Sequence, residues 1–219
     1  MPSQLTLSFL QTEASEFARW QSSRPIPGLF GATDGKAVGT HIEHQFQARL
    51  ERKYSFEGGN SAKGIDFPSL GVDIKVTSIR QPQSSCPFRS ARQKIYGLGY
   101  SLIVFAYDKH DDAKARAARL EIKHTVFVDK ARTADFQTTS GLRRLTDNNA
   151  NLDDILAFFE ERLLPVTDIE AATLAAEVLR HPPQLGYLTI SNALQWRLQY
   201  SRVIEQAGAV EGITRLNLL

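Results

Sequence analysis

The chain has one cysteine, Cys86, and no C-x-x-C pair. An intramolecular disulfide is therefore excluded, a thiolate zinc site has no support, and nothing requires an oxidising compartment. Long apolar runs are missing too: no stretch approaches the roughly 20 residues that span a bilayer. The opening Met-Pro-Ser-Gln-Leu-Thr-Leu-Ser-Phe-Leu lacks the basic start and apolar stretch of a secretory signal. No membrane partner is expected, and an intracellular, cytoplasmic location is. A strong excess of one charge is also absent, with 26 Lys and Arg against 24 Asp and Glu, so any nucleic-acid surface must come from local segregation of charge. No internal repeat or low-complexity tract is found. What remains is 219 residues, 42% hydrophobic and 9% aromatic, enough for one substantial core or a core with a small appendage.

The most informative segment is Gly64-Ile-Asp-Phe-Pro-Ser-Leu-Gly-Val-Asp-Ile-Lys-Val-Thr77. Ile65 and Phe67 flank Asp66, while Val72, Ile74 and Val76 interleave with Asp73 and Lys75, so the period is two on both sides of Pro68-Ser69-Leu70-Gly71. This predicts a tight β-hairpin. If Phe67 faces Val72, Asp66 faces Asp73, with Cβ atoms about 4.5–5.5 Å apart, and Lys75 lies beside Asp73 on the same face.

Opposed carboxylates repel, and Lys75 alone is a thin counterweight. Carboxylate oxygens with free lone pairs suit a hard cation such as Mg²⁺. That ion would polarise a phosphoryl oxygen and activate a bound water, while Lys75 would orient or help deprotonate the water and offset developing charge. This is the chemistry of phosphodiester hydrolysis, although a solvent-facing hairpin that happens to carry Asp and Lys is the alternative for any isolated D-x-K.

The arrangement, Asp66, six residues, then Asp73-Ile74-Lys75, resembles the PD-(D/E)XK signature of type II restriction endonucleases and their relatives, over roughly residues 36–130. Ile65 stands where the signature has proline. The resemblance implies a restriction-endonuclease-like α/β core, a mixed β-sheet flanked by helices. It makes Asp66 and Asp73 metal ligands, the Ile74 carbonyl a candidate third, and Lys75 the catalytic lysine. Relatives often place a glutamate on the preceding helix near the metal, which here points to Glu43. That helix is read from Thr40 to Leu50, with Ile42, Phe46 and Leu50 on one stripe. Thr40-x-x-Glu43 is also a capping box, so ligand and helix cap both stand.

After the hairpin, residues 79–87 read as a polar loop, followed by a short helix from Pro87 to Tyr96 with a Ser90/Gln93 capping box and Gly97 as its stop. Arg80, Arg89, Arg92 and Lys94 are candidates to line a phosphate backbone. Residues 101–107, all apolar but Ser101, predict a strand covered on both faces. Residues 108–119 read as a loop or exposed helix, and 120–128 as another strand. Helices are expected at 12–21, 152–164, 168–180 and 191–207, with residues 22–39 a loop. On the last helix, Gln195, Gln199, Arg202 and Gln206 form one stripe and Trp196, Tyr200, Val203 and Ala207 another. Gln and Arg can contact adenine and guanine edges, although a hydrophilic outer face of a packing helix produces the same stripe.

Taken together, residues 1–164 are expected to form the nuclease core, with an N-terminal helix and loop. Residues 165–219 form a mainly helical C-terminal extension, a candidate DNA-recognition or dimerisation element. The expected function is Mg²⁺-dependent, sequence-specific cleavage of double-stranded DNA by a homodimer, leaving 5′-phosphate and 3′-hydroxyl ends as the resembled family does. The alternatives are a structure-specific or repair nuclease on the same core and a non-catalytic DNA-binding module.

Overall fold

The computed structural model describes residues 2–59, 64–86, 89–191 and 197–217, with the backbone of Trp196. The chain runs β1 (Ser3–Gln4), α1 (Leu7–Ser22), β2 (Pro25–Ile26), α2 (Gly35–Glu51), β3 (Tyr54–Ser55), β4 (Val72–Ser78), β5 (Gln83–Cys86) and α3 (Arg92–Tyr96). It continues with β6 (Ser101–Asp112), β7 (Ala117–Val128), α4 (Phe136–Asp147), α5 (Leu152–Glu161), α6 (Asp168–Arg180), β8 (Thr189–Ile190), β9 (Trp196–Gln199), α7 (Ser201–Glu205) and β10 (Ile213–Arg215). No helix among the described residues is long and apolar enough to cross a membrane.

The central sheet has the order β10-β7-β6-β4, with β2 also on β7. β4 and β6 pair in parallel and the other pairs are antiparallel, so the sheet is mixed. α1 and α2 cover one face, where Leu10, Phe17, Ile42, Phe46, Phe67, Ile74 and Phe105 form a core. The opposite face carries a second sheet, β5-β9-β8, and α7, joined through Leu102, Val104, Val126, Leu198, Tyr200 and Val203. β6 gives Ile103 and Phe105 to the first core and Leu102 and Val104 to the second, as its continuous apolar run requires. The helices α3 to α6 close on a third cluster around Ile95, Leu142, Ile155 and Val178. This is the expected restriction-endonuclease-like architecture, a mixed sheet flanked by helices.

Local chemistry explains where elements begin. α1 starts at Leu7, five residues before the helical pattern is clear, because the Thr6 hydroxyl caps it by accepting from Phe9 N–H. α2 likewise starts at Gly35, inside the expected loop, since Asp34 caps it through Lys36 N–H at 2.9 Å. Thr40 is therefore interior, and the Thr40/Glu43 capping box does not form. α6 spans the expected 168–180 and carries a complete Thr167/Glu170 box. α5 stops at Glu161, short of the expected 164, where Leu163 takes φ 49° and is exposed.

Three segments depart from expectation. Residues 108–119 are the outer half of the β6–β7 hairpin; there Ala117, Ala118 and Leu120 are buried between exposed polar neighbours, and β2 pairs against Ala118 and Arg119. Residues 83–86 are strand β5, not loop, and 191–207 is not one helix. Instead β9 pairs antiparallel with β5, Gln83 facing Gln199 and Ser85 facing Arg197, before the short α7 begins. The segment from Arg197 to Tyr200 alternates exposed and buried, and the buried Tyr200 hydroxyl meets Ser84 Oγ at 2.5 Å. That long-range partner selects strand over helix. Finally, α3 begins only at Arg92 with Ala91 at its cap, and Gln93 Nε2 turns forward to the Leu98 carbonyl, so the Ser90/Gln93 box is absent; Gly97 ends the helix at φ 90° as expected. The expected start of that helix at Pro87 lies outside the described residues.

β5 is tied to the end of β4: the Thr77 hydroxyl lies 3.3 Å from the Gln81 carbonyl and 3.2 Å from that of Gln83. Farther round, the buried Asp135 caps α4 through Thr138 N–H and Oγ1 and accepts Ile190 N–H at 2.7 Å, fixing β8 to the helical side.

Candidate active site

The hairpin has the register expected of it. Phe67 and Val72 bridge, with N–H to carbonyl distances of 2.9 and 3.2 Å in the two directions. The turn is one 3₁₀ coil, Pro68–Leu70, closed by Gly71 at φ 62°, a left-handed conformation suited to glycine. Asp66 consequently stands across from Asp73, and the two carboxyls share a hydrogen bond. Asp66 Oδ2 also accepts Ile74 N–H at 2.8 Å. β4 is the edge strand, and a residue's N–H and C=O leave a strand on the same edge, so the Ile74 carbonyl is directed to the Asp66 side as well. Lys75 Nζ lies 2.6 Å from Asp73 Oδ2, and both side chains are largely buried.

α2 supplies the rest. Glu43 lies close enough to feel the charges of Lys75 and Asp73. One turn later, Gln47 Nε2 reaches within 3.5 Å of Asp66 Oδ1. Sequence reasoning overlooked Gln47, although its i+4 spacing from Glu43 placed both on one side of the helix. The helix is held from behind by buried Glu13 of α1, which takes Arg49 Nε at 2.9 Å and Lys53 Nζ at 2.7 Å.

The electrostatics follow from this crowding. Burial, then the hydrogen bond and charge of Asp73, push the Asp66 carboxyl up to about 7, against the lowering effect of Ile74 N–H. Burial also raises Glu43, with Lys75 opposing and Asp73 adding to the shift. Burial by itself would lower Lys75, but the charge and hydrogen bond of Asp73 prevail and hold it above the ordinary lysine value, so it stands as an ammonium.

The donor set suits a hard divalent ion. Glu43, Asp66, Asp73 and the Ile74 carbonyl offer only oxygen, and the upward shift of Asp66, due first to burial and then to Asp73 and Glu43, marks a carboxyl whose ionised form a bound cation would favour. Among the described residues no three His, Cys, Asp or Glu side chains close into a complete cage. Such a site would be completed by backbone, water and substrate oxygens, as Mg²⁺ sites commonly are.

A pH dependence follows. The folded Asp66 binds its proton more tightly than the ordinary aspartate value of 3.8 allows, so the associated stability is complete below about pH 4 and is lost as pH rises through about 7. In chelator, the melting temperature of wild type relative to Asp66→Asn should fall as pH is raised from 4 to 8. A constant difference across that range would refute the assigned shift.

The basic candidates are held by different elements. Arg89 is exposed and stands against the segment leading into the hairpin, where a methyl added to Gly64 would lie 2.6 Å from its Nη2. Arg80, largely exposed, is 3.4 Å from Asp108. Arg92 is taken by Glu177 at 2.5 Å and lies over the Tyr96 ring. Lys94 is buried near Asp135, which withdraws it from any phosphate track. Gln199 is exposed on β9, whereas Arg202 lies 3.7 Å above the Phe136 ring on α7, so the two do not share a helix face. Gln195 lies outside the described residues.

No solved structure matches the chain. The curated protein "Type II restriction enzyme NspV" of Nostoc sp. (strain ATCC 29411 / PCC 7524) is 60% identical over 209 residues, covering 95% of each chain. The family described as "Type II restriction enzyme NspV" matches residues 4–215. With that match over almost its whole length, the chain belongs to the NspV family of type II restriction enzymes.

Proposed function

We propose that the chain cleaves double-stranded DNA at a fixed sequence through the carboxylate cluster at the edge of β4, with Mg²⁺ as its metal. The observation that supports this assignment is the meeting of Asp66, Asp73, Glu43 and the Lys75 ammonium on that edge in a chain of this family. Asp66, Asp73 and the Ile74 carbonyl would hold the ion, with Glu43 beside them. When bound, Mg²⁺ supplies Lewis acidity to a phosphoryl oxygen and lowers the pKa of a water. Lys75 orients the attacking water and offsets charge gathering on the phosphate; its ammonium state favours this role over that of base. Gln47 steadies the Asp66 carboxyl. Attack in line with the P–O3′ bond breaks that bond, leaving a 5′-phosphate and a 3′-hydroxyl.

A homodimer is the proposed working form, since a twofold enzyme matches a palindromic site and cuts both strands. Residues 165–219 are the proposed recognition or dimerisation element, and the prokaryotic cytoplasm the proposed compartment. The decisive experiment is digestion of unmethylated phage DNA with and without Mg²⁺. Discrete fragments that appear only with metal are expected; a smear, or cleavage restricted to nicked or branched DNA, would replace this reading with a structure-specific nuclease.

A further inference from the structure

The β5-β9-β8 sheet has two chemically distinct faces. Cys86, Leu198, Tyr200 and Ile190 are buried against the central sheet. Between them, Ser85, Arg197 and Gln199 are exposed, and Gln83 and Thr189 are half-buried. Register places Gln83, Gln199 and Thr189 in one cross-strand row, with Ser85 and Arg197 in the next. None of the three strands contains Asp or Glu. Arg49, Arg80 and Arg92 are each ion-paired, but no carboxylate among the described residues pairs with Arg197. The outer face is thus a row of hydrogen-bonding side chains around one uncompensated guanidinium.

We infer that this face reads base edges in the major groove of the DNA the chain cuts, with Arg197, Gln199 and Gln83 deciding which sequence is accepted. The inference rests on the nuclease reading above and locates sequence recognition in a sheet, not on a helix. The major groove, about 12 Å wide, admits a two-stranded β-ribbon. Arg197 and Gln199, two residues apart on β9, present side chains about 6.8 Å apart, or about two base steps of 3.4 Å. Gln83 sits directly across from Gln199, about 5 Å away, within reach of the same base pair or its neighbour. Arginine meets the O6 and N7 edge of guanine in a fork, and glutamine the N6 and N7 edge of adenine. The Thr77 tie holds this sheet to the strand that carries Asp73 and Lys75.

The test begins with the cut site itself, read from the ends of fragments that wild type releases from plasmid DNA. Wild type, Arg197→Ala, Gln199→Ala, Gln83→Ala and Arg197→Lys are then compared by kcat/KM on a duplex carrying that site and on duplexes altered at one base pair each, with melting curves checking the fold. Each alanine variant should lose on the order of 10- to 100-fold on the intact site and much less on the duplex altered at the position it reads. Arg197→Lys should not restore selectivity, because an ammonium lacks the fork. Equal losses on every duplex, or rescue by lysine, would make the face a phosphate contact and overturn the inference. Intact selectivity with a changed sedimentation coefficient would make it a subunit contact instead. Absence of discrete cuts by wild type would remove the nuclease reading, and this inference with it.

Discussion

Lys75→Ala should lower the DNA cleavage rate by about 10²–10⁴-fold, the range lost when a group that acts on the reacting water or its developing charge is removed. The reason is geometric. Among the described residues, Lys75 is the one ammonium within 2.6 Å of a carboxylate in the cluster, on the same face of β4 as Asp73, and its charge is reinforced by that neighbour. DNA affinity should change far less than rate, because one phosphate contact among many is a small part of binding. Asp73→Asn should fall in the same range, and the double variant should be little worse than either alone, since groups acting as a unit are not additive. Glu43→Gln should lie between wild type and these. Single-turnover cleavage alongside a binding titration separates the two quantities. A Lys75→Ala enzyme within tenfold of wild type would move the chemistry away from this hairpin.

The second large effect is on stability. Phe46 is fully buried, its ring 5.1 Å from that of Phe17, 5.5 Å from Phe105 and 6.5 Å from Phe67. Phe46→Ala should therefore cost about 3–5 kcal/mol, the usual price of removing a buried ring and leaving its cavity. Against a typical total of about 5–15 kcal/mol, that is a large share. Catalysis should suffer too, because Phe46 lies on α2 between Glu43 and Gln47 and seats both against β4. Denaturant unfolding measures the first effect and the cleavage rate at permissive temperature the second. A loss below about 1.5 kcal/mol, the range of volume-conserving swaps, would mean that this aromatic cluster closes over the gap.

What was legible in the sequence follows from how local the determinants are. Asp66, Asp73 and Lys75 were readable because alternation and a four-residue turn fix a hairpin within a dozen residues. Glu43 was half readable: its helix was evident, but the choice between cap and site turned on Asp34, nine residues earlier, which starts the helix in place of Thr40. The β5–β9 pairing was not readable, since Gln83 and Gln199 are 116 residues apart in the chain and Trp-Arg-Leu-Gln-Tyr satisfies both a helical stripe and a two-residue alternation. α4 escaped notice for a different reason. Its Thr, Ser and Gly residues are poor helix formers, and it is stabilised by the Asp135 cap and by Leu142 in the third core.

The short connection between β4 and β5 also sets a distance. Gln83 follows Lys75 by eight residues, a path that even fully extended spans no more than about 29 Å, or roughly eight base steps along a duplex. The Thr77 hydroxyl folds that path back on itself and shortens it further. If these two strands cut and read as inferred, both events fall within a single helical turn. On the inferred reading, cleavage should map inside the recognition sequence or directly beside it, and a remote cut would not fit this arrangement.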